Sequence, residues 1–104
     1  MAATPIALDR YVIETLMPDL VGHDRRASTF VVYLAIVAVA GDGKAALSHA
    51  DLAERTGLSR RGVQDAVAHL VRRQLVEVTR RGATETSEYR PLAPWRRWPP
   101  VTLS

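Results

Sequence analysis

Hydrophobic positions in the second half of the chain follow two periods. From Ser59 to Arg72 the apolar residues Val63, Ala66, Val67, Leu70 and Val71 recur at i, i+3, i+4, i+7 and i+8, which is one face of an α-helix. The opposite face carries Arg60, Arg61, Gln64, Asp65, Ala68 and Arg72. A shorter helix is predicted just upstream over Ala50, Leu52, Ala53 and Thr56. Ser48 suits its N-cap, because a hydroxyl there can accept from an unpaired first-turn N–H, and Asp51 stands at the position of a capping-box acid. Gly57 suits the left-handed residue that ends the helix, and Ser59 is a second N-cap two residues later. Downstream the period changes to two. Leu75 to Arg80 alternates like a half-buried strand, Arg81 to Thr84 is a polar loop with a glycine, and Thr86 to Leu92 returns as a second strand with Tyr89 inward.

The first half is patterned differently. Met1 to Pro5 reads as a frayed end, and Ile6 to Leu16 as containing a short amphipathic helix with Leu8, Tyr11, Val12, Thr15 and Leu16 roughly to one side. Pro18 ends or restarts that helix, because it has no N–H and restricts Met17. Gly22 and His23 are expected in a loop, and Asp24 as the N-cap of a helix reaching Ala40. Phe30 to Ala40 is an unbroken apolar run of eleven residues, too short for a bilayer span of about 20. It reads instead as a core helix or one shared with a second subunit. Gly41-Asp42-Gly43 is a turn, and Lys44 to Leu47 a short edge strand. In Pro91 to Pro100, four prolines exclude a regular helix, and Trp95 and Trp98 are expected to pack back on the N-terminal helix or on a partner subunit.

Two short helices joined by a tight Gly-containing turn have helix-turn-helix geometry, in which the second helix offers its N-terminal residues to the DNA major groove. A hairpin directly after that helix is a wing. The residues Asp51-Leu52-Ala53-Glu54-Arg55-Thr56-Gly57-Leu58-Ser59, then Val63, Ala66-Val67, Leu70, Gln74-Leu75-Val76 and Tyr89-Arg90 resemble the winged helix-turn-helix family of bacterial and plasmid DNA-binding proteins. Two positions depart from that pattern: Gly62, where the family often has Thr, and Gln74, where it often has Gly. Leu16-Met17-Pro18-Asp19-Leu20 also resembles a segment that precedes the first core helix in some plasmid and phage winged-helix proteins.

The resemblance implies a mainly α fold with a small β-hairpin wing (α+β) in one domain. Residues 1–23 would be a helical extension, 24–92 the winged helix and 93–104 a Pro/Trp/Arg tail. It implies double-stranded DNA as partner, with Ser48, Ser59, Arg60, Arg61, Gln64 and Arg72 on the helices and Arg80, Arg81 and Thr84 on the wing as contacts. The expected role is a small cytoplasmic transcriptional regulator acting as a homodimer. The alternatives are a part in a plasmid or phage replication or maintenance complex, and a winged helix docking a protein instead of DNA.

Charge supports the DNA reading. Residues 1–57 carry five basic and seven acidic groups, whereas residues 58–104 carry nine basic and four acidic. The net +3 is thus concentrated in the half that holds the second helix and the wing. Thirteen of the fourteen basic residues are Arg, whose planar fork matches phosphate and guanine edges. Without Cys there is no thiolate or disulfide chemistry, which fits a reducing compartment. His23, His49 and His69 lack metal-ligand spacing, Gly41-Asp42-Gly43-Lys44 lacks the context of a phosphate loop, and the N-cap position already accounts for Ser59. No cofactor, metal, membrane or small-molecule effector is expected, and no catalytic activity.

Overall fold

Val63, Ala66, Val67 and Leu70 are buried along α3 (Arg60–Arg72), and this stripe seats the helix on the rest of the domain. The computed structural model describes residues 4–80 and 86–96. Its elements are α1 (Ala27–Ala40), β1 (Ala45–Ser48), α2 (His49–Thr56), α3, β2 (Val76–Arg80) and β3 (Thr86–Pro91), preceded by two wide-turn helical segments, Val12–Leu16 and Pro18–His23. The three strands form an antiparallel sheet in the order β1-β3-β2. This is a mainly helical α+β fold of the winged-helix type. None of the described helices is long and apolar enough to cross a membrane.

Local chemistry sets the element ends. Ser48 and Asp51 form a reciprocal capping box: the Asp51 N–H donates to Ser48 Oγ at 3.0 Å, and the Ser48 N–H donates to Asp51 Oδ2 at 2.9 Å. α2 ends at Gly57, whose φ of 81° lies in the left-handed region that suits a residue without Cβ. Ser59 caps α3 by accepting from the Gly62 N–H at 2.9 Å. A Cβ at Gly62 would lie 3.2 Å from that same hydroxyl, so the turn is tight where the chain departs from the family's Thr. α3 closes with a Schellman pattern, Leu75 N–H to the Leu70 carbonyl and Gln74 N–H to the Val71 carbonyl. Gln74 there has φ 58°, the left-handed conformation that explains a family preference for Gly.

The core lies between the three helices and the inner face of the sheet, with Leu52, Ile36, Val63 and Leu70 fully enclosed. Tyr89 stands opposite Ala45 on one side and Val78 on the other, and is buried as expected. The short edge strand is present, at Ala45–Ser48 rather than from Lys44.

Several expectations are corrected. Helical backbone does lie within Ile6 to Leu16, from Arg10 on, but Leu8 is not part of its inner side. Residues 4–9 are irregular, and Ile6 and Leu8 are exposed, because the Asp9 carboxylate binds the C-terminal segment. Of the two outcomes expected at Pro18 the structure has the restart: one segment ends at Leu16 and the next begins at Pro18 itself. Widened turns on either side give its ring room, and they carry Leu16 and Leu20 into the core. Gly22 and His23 therefore lie within a helical segment, not a loop. Asp24 does not cap α1, which begins at Ala27 after Arg26, because its carboxylate is engaged by α3 and the residue after it. Val71 is exposed rather than buried, since the inner stripe centres on Val63, Ala66, Val67 and Leu70.

The tail packs as predicted at Trp95, which stacks on Tyr11 with ring centroids 4.5 Å apart and donates its indole N–H to Asp9 at 2.7 Å. Trp98 lies outside the described residues. Leu70→Ala is expected to destabilise the domain by roughly 2–5 kcal/mol, because it empties a fully enclosed site. Urea denaturation measures this, and an unchanged midpoint would place Leu70 outside the core.

Candidate nucleic-acid interface

Burying one side of α3 turns the other outward. Arg61, Asp65, Ala68 and Arg72 follow one another at i, i+4, i+7 and i+11 and are all exposed. Arg60, Gln64 and Val71 lie to one side of this line, towards the sheet. There a groove of about 540 Å³ separates α3 from β2 and β3, with Arg60, Gln64 and His49 on one bank and Arg80 and Ser87 on the other. Its floor includes Val67, Val78 and Tyr89. The structure thus brings Arg60, Gln64 and Arg80 together around one concave surface. Ser59 precedes Arg60 at the mouth of the helix.

The other predicted contacts are placed differently. Ser48 Oγ accepts from the Asp51 N–H in the capping box, which leaves its hydroxyl hydrogen to donate, and its neighbour His49 reaches the groove. Arg72 sits at the far end of α3, about 16 Å along the axis from Arg61 at 1.5 Å per residue. Its guanidinium is 3.4 Å from the His69 ring. Arg81 and Thr84 lie outside the described residues. His49 was missed from sequence, although its position directly after the Ser48 cap is the signal that could have found it.

A polar cluster on the opposite flank of α3 was also missed. Asp24 accepts from both the His69 ring, with Nε2 at 2.7 Å, and Arg73, while Asp19 takes the other end of the Arg73 guanidinium. These pairs span 45 to 54 residues, so no local spacing announces them. Asp24 is held down at about 2, chiefly by its hydrogen bond to His69, with further help from His23 and Arg73 and against its desolvation. The Arg73 guanidinium is correspondingly raised. Asp19, His23 and Asp24 each bring a potential ligand atom within 4.8 Å of the others. Arg73 already neutralises both carboxylates, so the cluster works as an ionic latch between the segment before α1 and the end of α3. A similar clamp holds the tail: Arg96 grips both oxygens of Asp9 and also reaches Asp42, and Arg96 first and Trp95 second lower Asp9 to about 2.

A buried helical stripe, an outward basic helix and an adjacent wing hairpin within a three-stranded sheet define a winged helix-turn-helix DNA-binding protein. The model of the MarR family matches residues 29–84, more than half of the chain, and the chain belongs to that family of winged-helix DNA-binding transcriptional regulators. No curated protein and no solved structure matches it.

The latch carries a pH signature. Asp24 falls from its ordinary 3.8 to about 2 on folding, so its contribution is fully present above 3.8 and is lost as pH falls towards 2. Asp24→Asn is expected to be less stable than the wild type at pH 7, with the difference shrinking as pH falls through that window. Urea titrations at pH 7, 4 and 2 read this, and a difference independent of pH would remove Asp24 from the latch.

Proposed function

We propose that the protein is a sequence-specific regulator that binds duplex DNA with the N-terminal half of α3 in the major groove and the wing on the flanking backbone. The observation that carries this reading is the convergence of Arg60, Gln64 and Arg80 on one groove, beside an outward helical line that includes Arg61. Arg and Gln offer paired donors or a donor–acceptor pair to guanine and adenine edges. Ser59 and the first-turn N–H groups of α3 are suited to a phosphate, as are Arg80 and the Ser48 hydroxyl. Arg72, Arg81 and Thr84 complete the proposed contact set, Arg72 on the backbone at the far end of α3 and the other two on the wing. Phosphate contacts would supply most of the affinity and the few base contacts the discrimination.

Two observations favour this reading over its alternatives. A protein-docking helix should present an apolar centre, whereas this one presents arginines. The segment resembling plasmid and phage proteins spends Leu16 and Leu20 on this chain's own core and Asp19 on Arg73, which leaves little of it to load another factor.

The proposed working form is a two-fold homodimer. Val31 and Val39 on α1, and Ile13 and Val21 before it, are exposed apolar side chains away from the α3–wing groove. A second copy is the occupant this reading requires, because one recognition helix spans too few base pairs to select a site in a genome. Half-sites would then repeat at about 34 Å or a multiple of it. Sedimentation equilibrium with and without a selected duplex is expected to give a dimer mass, and a strictly monomeric mass in both would overturn the dimer alone.

The triple change Arg60→Ala, Arg61→Ala and Gln64→Ala is expected to abolish preference for a selected duplex while the protein stays folded. Arg80→Ala is expected to weaken binding to all sequences alike and to flatten the log–log salt dependence by about 0.9. Gel-shift titration at several salt concentrations tests both. Unchanged affinity in the triple variant would exclude α3 as the reader, and an unchanged slope would remove Arg80 from the interface.

A further inference from the structure

Building on the proposed DNA reading, we infer that Asp65 is a specificity-determining residue that accepts a hydrogen bond from the N4 amino group of a cytosine. α3 carries one acidic side chain, and it stands in the middle of the outward line between Arg61 and Arg72. A carboxylate there opposes the positive field that draws DNA to this face, so its presence calls for a compensating contact. The structure supplies none among the described residues. Among the described carboxylates, Glu54 and Asp65 alone make no hydrogen bond or ion pair, and Glu54 is on α2. Arg61 is one turn away from Asp65 yet does not pair with it, so both carboxylate oxygens remain open to a donor.

The chemistry of the groove narrows that donor. Phosphates and the major-groove edge of guanine present only acceptors, and both repel a carboxylate. Adenine presents its N6 donor beside the N7 acceptor, so a carboxylate meets one favourable and one unfavourable group. Cytosine presents its N4 donor without that adjoining acceptor, and it is the base a carboxylate recognises. Reach agrees with this assignment. Asp has a single methylene, so it contacts a base only where the helix backbone comes close to the groove floor. The next residue on the exposed line is Ala68, whose methyl group allows that approach. Arg61, one turn towards the N-terminus, is then placed to hold the neighbouring base or phosphate while Asp65 rejects purines at its own position.

The test is parallel selection from a random duplex pool with the wild type, Asp65→Ala and Asp65→Asn, together with titration of an unselected duplex. The expected wild-type site contains a position fixed as cytosine. D65A is expected to lose preference at that position only, to bind the wild-type site about tenfold more weakly, and to bind unselected duplex more tightly because a repulsive charge is gone. D65N is expected to accept adenine there, since an amide matches the N6/N7 pair. Asp65 is exposed, so both variants should melt within a degree or two of the wild type. Identical base preferences in all three proteins, with only a uniform gain in affinity on removing the charge, would overturn the assignment and leave the DNA reading standing. A folded wild type that enriches no sequence would overturn the DNA reading itself, and this assignment with it.

Discussion

The rotation of α3 about its own axis is the constraint on which the interface depends. Val63, Ala66, Val67 and Leu70 are buried against α1, α2 and β2, and side chains at 100° intervals leave no second way to bury that stripe. Once it is buried, Arg61, Asp65 and Arg72 must face outward, and Arg60 and Gln64 must face the wing. A core packed closely enough to forbid a few tens of degrees of roll is therefore also what fixes which side chains the proposed interface offers. The tight turn through Gly57 and the Ser59 cap set where that helix begins.

Ionic ties then join the less regular parts of the chain to this frame. Arg73, the residue that closes α3, holds Asp19 and Asp24, and His69 adds a second bond to Asp24. The segment Pro18–His23 and Asp24 after it are in this way fastened to the end of α3 as well as to their neighbours in sequence. Asp9 does the same for the C-terminal segment through Arg96 and Trp95, and the Tyr33 hydroxyl donates to the Leu92 carbonyl at 3.4 Å. Burial raises the Tyr33 phenol to about 12, so that bond keeps its proton across the ordinary pH range. These ties surround the core and leave the α3–wing groove open.

Legibility in the sequence follows the range of the interactions involved. Short-range rules predicted both caps, the Gly57 turn, the period of α3 and the alternation of the wing strands, because each depends on residues within a turn or two of each other. They also predicted Arg60 and Gln64 on the exposed side of α3, since burying one stripe leaves the opposite side outward. Asp24 was misjudged because a residue that looks like a helix cap was claimed by partners 45 and 49 residues away. Leu8 lies outside the helix that Ile6 to Leu16 contains because Asp9 is engaged by Trp95 and Arg96, which no periodicity reveals. Val71 was misassigned because a five-residue apolar stripe is wider than the surface available to cover it, and its edge then faces the groove. His49 was overlooked for a related reason: it reaches the groove through the fold, and its one local signal is that it directly follows the Ser48 cap.

The central claim is that the outward face of α3 and its groove, rather than the apolar surface of α1, receives DNA. Backbone amide shifts recorded while a selected duplex is titrated into the isotopically labelled protein test this most directly. The largest changes are expected at Ser59 to Gln64, His49 and Arg80, with Ile36 and other core positions on α1 nearly unmoved. Changes concentrated on α1 and the segments before it, with α3 and the wing silent, would contradict it.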